Sequence, residues 1–295
     1  MTSYRASFFW LMLVTLLVGI FLPKESAAAT PMAHERTMLW KVSGKGIKPS
    51  YLYGTFHLVP KEQFLLQEKI KEKLVKSESV VFEVDLDSPE LTQRLSAAMR
   101  MDKPLETLMT PQEFNLLKQF VHDSLERDMN FYRYIKPGFL GQLLLYPKLL
   151  GYNPESYDLA LLNLAKKWHK SIYALETPAE QVALFDQVTL ENQTSQLLSN
   201  VKQFSQQRNV MKQMLSLYQA GDVDGLYQFV NSQEKAEETK GLMLDARNQR
   251  WITPLVNMMA KHSSFIAVGA AHLAGDQGLI ELLRKQGYKV EPVLN

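Results

Sequence analysis

Apolar and polar positions along this chain fall into two alternating patterns. Short apolar runs predict strands over residues 39–42 (LWKV), 51–54, 79–85 (SVVFEVD), 171–175, 265–268 (FIAV) and 288–293. Gly44, Gly46 and Pro49 are turn material, so residues 39–54 read as a hairpin with a longer loop. Helical spacing covers residues 63–76, with Phe64, Leu65, Ile70 and Leu74 on the inner side, and residues 157–169. It also covers residues 111–125, opened by Thr110 as N-cap and Pro111 at the first position. Two long helical stretches follow, residues 179–220 and 222–261, the second broken near Gly241 and Pro254. A last helix begins around Leu279, with Asp276 as its expected N-cap, and Gly287 stops it. Strands alternating with helices predict an α/β fold. Its central β-sheet is flanked by helices and interrupted by a large helical insertion at about residues 90–260 of a single domain, residues 30–295.

The chemistry gathers where strands end. The run ending at Val268 leads into Gly269-Ala270-Ala271-His272-Leu273, and the run ending at Tyr53 leads into Gly54-Thr55-Phe56-His57-Leu58. Both read Gly-x-x-His-Leu at the carboxyl end of a strand, where open α/β sheets place their ligand sites. The two histidines are far apart in the chain, at positions 57 and 272, so only the fold can join them. In residues 79–85, Val80, Phe82 and Val84 share one face, and Val81, Glu83 and Asp85 share the other. A carboxylate on a buried strand is costly unless it is paired or bound to metal. Residues 171–175 run directly into Glu176.

His57, His272 and Glu83 therefore form a candidate two-histidine, one-carboxylate centre for a divalent metal. Such a metal lowers the pKa of a bound water and polarises a carbonyl. Glu176 or Asp85 would be a fourth ligand or a general base. A metal-free alternative uses the same atoms: one histidine takes a proton from water while a carboxylate orients it. A third reading has each histidine only capping a strand end. Arg247 is a candidate to orient a site carboxylate or grip a substrate carboxylate. Asn248, Gly54 and Gly269 are the candidate substrate-facing positions.

Composition narrows the setting. The chain has 295 residues, 46% hydrophobic and 22% charged, as in ordinary globular proteins. A net charge of +2 without a dense basic run gives no reason to expect nucleic acid. Arg5, the apolar run 8–22 and Ala27-Ala28-Ala29 read as a signal peptide over residues 1–29, which predicts a periplasmic or secreted protein with no membrane span after cleavage. An uncleaved N-terminal anchor is the alternative. The chain has no cysteine, which excludes disulfides, thiolate metal sites and cysteine nucleophiles.

The ordered set LWKV, YLYGTFHLVP, VVFEVD, ALETPAEQ, ARNQRW and FIAVGAAHLAGDQGLIELL resembles the TraB/GumN/Tiki family in its bacterial exported branch, over about residues 39–293. The resemblance implies an α/β fold shared with ChaN-like haem-binding proteins and erythromycin-esterase-like hydrolases. It implies a site of His57, His272 and Glu83, followed by Glu176 and Arg247. Tyr157-Asp158 stands where many relatives have Gly-Ile/Val-Asp, a departure that weakens Asp158 as a site residue. The Tiki branch looks like divalent-metal-dependent proteases. The expected function is thus a periplasmic metal-dependent hydrolase of peptidase type, with Mn, Co or Zn as cofactor and a peptide or small molecule as substrate. The alternatives are a non-catalytic peptide- or haem-binding protein and a metal-free erythromycin-esterase-like hydrolase.

Overall fold

Six strands carry the architecture: β1 (Leu39–Ser43), β2 (Ser50–Thr55), β3 (Ser79–Val84), β4 (Ser171–Glu176), β5 (Ser264–Gly269) and β6 (Lys289–Pro292). They form one sheet in the order β4-β3-β5-β2-β1-β6. This is a computed structural model, and the residues it describes are 36–151, 153–232 and 241–294. The expected signal peptide, residues 1–29, lies outside them. Among the described residues no helix is long and apolar enough to cross a membrane.

Four adjacent strands, β4, β3, β5 and β2, run parallel, whereas β1 is antiparallel to both β2 and β6. The apolar runs explain which strands are central. SVVFEV and SFIAVG are buried along their whole length, as expected of parallel strands covered on both faces. In register, Tyr53 lies opposite Ala267 and Ala267 opposite Phe82. Glu83 therefore stands one residue beyond that row, at the edge where β2 and β5 also end. Three strands separated in sequence deliver their carboxyl ends side by side.

Among the described residues eleven helices surround the sheet: α1 (Glu68–Lys76), α2 (Pro89–Ala98), α3 (Pro111–Leu125), α4 (Pro137–Leu150), α5 (Tyr157–Lys167), α6 (Pro178–Asp186), α7 (Leu190–Lys202), α8 (Phe204–Gln219), α9 (Val223–Asn231), α10 (Ala246–Lys261) and α11 (Leu279–Lys285). Thr110 caps α3 in a full capping box with Glu113, as its sequence predicts. The main core joins sheet and helices. A second apolar cluster, including Leu105, Leu117, Leu140 and Leu197, lies within the helical block. With no cysteine, apolar burial worth about 1.5–3 kcal/mol per large side chain carries the fold.

Several boundaries differ from the sequence expectation, and Pro254 lies inside α10 without breaking it. The helix expected from residue 63 starts at Glu68, and Leu65 is exposed, because a 3-10 turn at Lys61–Gln63 precedes it. The helical stretch 179–220 divides into α6, α7 and α8: Thr177 caps α6, with Glu180 completing a second capping box, and Thr189 caps α7. Asp276 does not cap α11. Gly278 occupies that place, and its N–H donates to Gly275 O.

Candidate functional site

The two Gly-x-x-His loops meet at the carboxyl edge of the sheet, and each glycine is where the other loop packs. A Cβ on Gly54 would stand 2.8 Å from Leu273 Cδ1 and 3.0 Å from Ala270 Cα, both in the second loop. A Cβ on Gly269 would stand 3.0 Å from His57 Nε2, in the first loop, and 3.4 Å from Glu83 Oε1. Tyr218, from α8, donates to Gly54 O at 3.1 Å, so Tyr53, 2.9 Å away, donates to Tyr218. Gly54 thus serves the packing between the loops, whereas Gly269 lies within the polar centre. Replacing Gly269 with Ala is expected to push the His57 ring by several tenths of an ångström. Overpacking of this kind costs about 1–3 kcal/mol, and misplaced reacting groups can lose on the order of 10²-fold in rate. Thermal melts and turnover of Gly269→Ala, read together, check this.

His57 is held from behind. Its Nδ1 lies 3.0 Å from Asp158 Oδ2, and Asp158 Oδ1 accepts from Thr55 Oγ1 at 2.9 Å. Asp158 sits in the first turn of α5, after the Ser156 N-cap, where a carboxylate is favoured. Burial opposes the charged ring, but the Asp158 carboxylate outweighs it, and His57 titrates above the ordinary histidine range. Its side chain is 15% exposed.

His272 is the opposite case, with a side chain 0% exposed. Asn248, from α10, donates its Nδ2 to His272 O at 3.3 Å and to Gln277 O at 2.8 Å. Its Oδ1 must therefore accept, and it receives His272 Nδ1–H at 2.6 Å. The ring is fixed as the Nδ1–H tautomer, with the Nε2 lone pair facing Arg247 Nη1 at 3.3 Å. Burial first, then the charge of Arg247, pushes its pKa down to about 3 despite Glu83, so the ring is neutral. Trp251 covers it, with ring centroids 4.5 Å apart.

Arg247 ties the carboxylates together. It enters from the first turn of α10, directly after a π-helical turn over Gly241–Asp245. Its Nε and Nη2 form a fork on Glu176 at 2.8 and 2.9 Å, and Nη2 also donates to Glu83 Oε2 at 2.7 Å and Gln181 Oε1 at 3.2 Å. Its guanidinium lies 4.7 Å from the Trp251 ring, and Trp251 Nε1 donates to Glu176 at 3.1 Å. Glu83 Oε1 accepts the Gly269 N–H at 2.7 Å. Burial alone would raise the Glu83 pKa. Arg247 first, then the two imidazoles and the Gly269 N–H, hold it at about 2. With His272 neutral, Arg247 is the lasting cation in that set.

Glu83 and His272 both make stability fall in acid. Each has a folded pKa below its unfolded value, so the unfolded chain takes up protons first. The stability held at pH 7 is expected to decline as pH falls from about 6.5 towards 3, through the His272 step and then the Glu83 step. Calorimetric melts between pH 7 and 4 check this. Replacing His272 with Asn should flatten the upper part of the slope.

The structure brings His57, His272, Glu83, Glu176, Arg247, Asn248 and Gly269 into one neighbourhood. Asn248 is buried, and both its polar atoms are used in holding His272. Asp85 is exposed and accepts from Asp87 N, away from the cluster. Arg247 is itself 1% exposed, whereas Arg250, one turn later, is 55% exposed and only 3.4 Å from Glu176 Oε1. Sequence reasoning gave Asp158 too little weight and passed over Thr55, Gln181 and Trp251. Thr55 was legible within Gly-Thr-Phe-His. The others become site residues only once the fold folds α5, α6 and α10 against the strand ends.

Comparisons with known proteins cover most of the chain. The chain is 24% identical to Metalloprotease TIKI1 of Danio rerio, over 91% of this chain and 65% of that protein. It is 23% identical to Metalloprotease TIKI2 of Danio rerio, over 86% and 60%. It is 21% identical to the Metalloprotease TIKI homolog of Amphimedon queenslandica, over 95% and 66%. The chain thus spans less than two thirds of the length of each of these relatives. No solved structure matches it. The TraB/PrgY/gumN family profile matches residues 38–292, a span that holds both histidine loops, β3 with Glu83, and the Arg247 helix. The chain belongs to the TraB/PrgY/gumN family.

Proposed function

We propose that the chain is a hydrolase acting on peptides, with His57 as the base that activates water. The observation that carries this reading is the Thr55–Asp158–His57 relay beside the buried Glu83–Arg247–His272 group. The names of the curated relatives support the peptide substrate. Asp158 keeps the proton of His57 on Nδ1, so Nε2 is the free acceptor. A water proton moves to Nε2, and the hydroxide oxygen bonds to the peptide carbonyl carbon. When the C–N bond breaks, the same proton passes to the leaving amine. Arg250 offers an exposed guanidinium to a substrate carboxylate. A signal peptide over residues 1–29, as the sequence suggests, supports a periplasmic or secreted location.

The relatives' names also imply a metal, of the Mn, Co or Zn class, which would fall to His57, His272 and Glu83. The donors as arranged do not fit one. His272 Nε2 accepts from Arg247, and Glu83 uses one oxygen for Gly269 N–H and the other for Arg247. Among the described residues no group of three His, Asp or Glu side chains is placed to hold a metal ion. The proposed step therefore runs through His57 alone.

The test is cleavage of a mixed peptide library by the purified protein, read by mass spectrometry. Defined cuts that His57→Ala abolishes are expected. A library left intact, together with a Soret shift on haem titration that His57→Ala removes, would replace the hydrolase with a haem-binding protein.

A further inference from the structure

We infer that Arg247 is the built-in cation of this centre, and that a divalent metal and the Arg247 guanidinium exclude each other at His272 and Glu83. The inference concerns which cation the centre holds and does not depend on what the protein hydrolyses.

The first support is steric. The lone pair of His272 Nε2 is directed at Arg247 Nη1, 3.3 Å away. A metal bound to that nitrogen would lie about 2.1 Å from it, on the side where Nη1 already stands at 3.3 Å, inside contact distance of the guanidinium. The ring cannot turn its other nitrogen inward, because Nδ1 is held at 2.6 Å by Asn248. Asn248 is itself fixed by two backbone carbonyls. His272 therefore serves either the guanidinium or a metal.

The second support is charge. Glu83 and Glu176 are both buried and both lean on Arg247, which forks onto Glu176 and reaches Glu83 through the same nitrogen. A dication among these groups would face a buried guanidinium that already bonds the same two carboxylates. Removing Arg247 would free electron pairs on the same two carboxylates and on a neutral imidazole, which is a donor set suited to a divalent metal.

The third support is that Arg247 is anchored from outside the presumed ligand set. Gln181 and the Trp251 ring hold it as well, and neither was needed for the two-histidine, one-carboxylate centre. Loosening that anchor should let the guanidinium give way.

The test is calorimetric titration with Mn²⁺, Co²⁺ or Zn²⁺ alone, without substrate. Arg247→Met on its own leaves two buried carboxylates without their closest cation, so the variant to use is Arg247→Met with Glu176→Gln. Wild-type protein is expected to show no tight metal site that depends on His272. The double variant is expected to bind one equivalent at least 100-fold more tightly than wild type, and adding His272→Ala should abolish that gain. Wild-type protein that binds one equivalent as tightly as the double variant would overturn the inference, and so would a folded double variant that gains nothing. A second measurement needs no variant. In ¹⁵N ring spectra of wild-type protein, saturating Zn²⁺ should leave His272 as the unshifted Nδ1–H tautomer. A metal-induced shift at His272 Nε2 would also overturn it. Neither readout involves hydrolysis, so a failure here is distinct from a failure of the proposed activity.

Discussion

Replacing Arg247 with Ala is expected to destabilise the protein by about 3–5 kcal/mol, which lowers the melting temperature by roughly 10 °C for a domain of this size. The reason is the state in which the change leaves its partners. Glu83 and Glu176 are buried, and each takes its closest charge-assisted hydrogen bonds from this one guanidinium. Removing one member of a buried ionic group strands the others, which is why the loss exceeds the worth of a surface pair. The pH dependence should also change sign around Glu83. With Arg247 present its carboxyl is held at about 2, and stability is lost as pH falls. Without Arg247, burial dominates and the folded pKa rises above the unfolded value. The loss relative to wild type should then be smaller at pH 5 than at pH 7. Denaturant melts of both proteins at the two pH values distinguish this from simple loss of packing, which would leave that difference unchanged. Adding Glu176→Gln to Arg247→Ala should recover part of the loss, because it removes one stranded charge.

Replacing His57 with Ala should lower peptide turnover by about 10²–10⁴-fold, the usual worth of a positioned general base, and leave the melting temperature close to wild type. The ring is partly exposed, and the tightest buried bonding in the site belongs to Arg247 and His272 instead. Asp158→Asn should act through the same group. The amide cannot balance a charged ring, and it can turn an N–H towards Nδ1, so the ring proton moves to Nε2 and the acceptor is lost. In wild type, Asp158 holds the His57 pKa above its ordinary value. The acid limb of the rate profile should therefore lie above the usual histidine midpoint and shift to lower pH in Asp158→Asn. Unchanged turnover in both variants would separate the relay from the chemistry.

Much of the fold was legible because the strands differ sharply from the helices. Continuous apolar runs such as SFIAVG have no polar face to give water, and they became the centre of the parallel sheet. Alternation along β3 put Glu83 on a face of its own, and the repeated Gly-x-x-His-Leu marked the two loops that meet. What the sequence could not supply was the pairing across distance. Asp158 reaches His57 across 101 positions, and its approach depends on how α5 crosses the strand ends, a matter of packing rather than local pattern. The role of Arg247 was read only as contact with a carboxylate. That it lies between His272 and two glutamates follows from the register of α10 after its π-helical entry. The break between α6 and α7 was set by the capping residue Thr189, within a stretch whose apolar spacing continued across it.

The most direct test of His57 as a metal-free base is library hydrolysis after exhaustive chelation, with wild-type protein and His57→Ala side by side. The expected result is cleavage that survives chelation in wild type and is absent from His57→Ala. Cleavage that chelation abolishes and Mn²⁺ or Co²⁺ restores would contradict the assignment and return His57 to the role of a metal ligand.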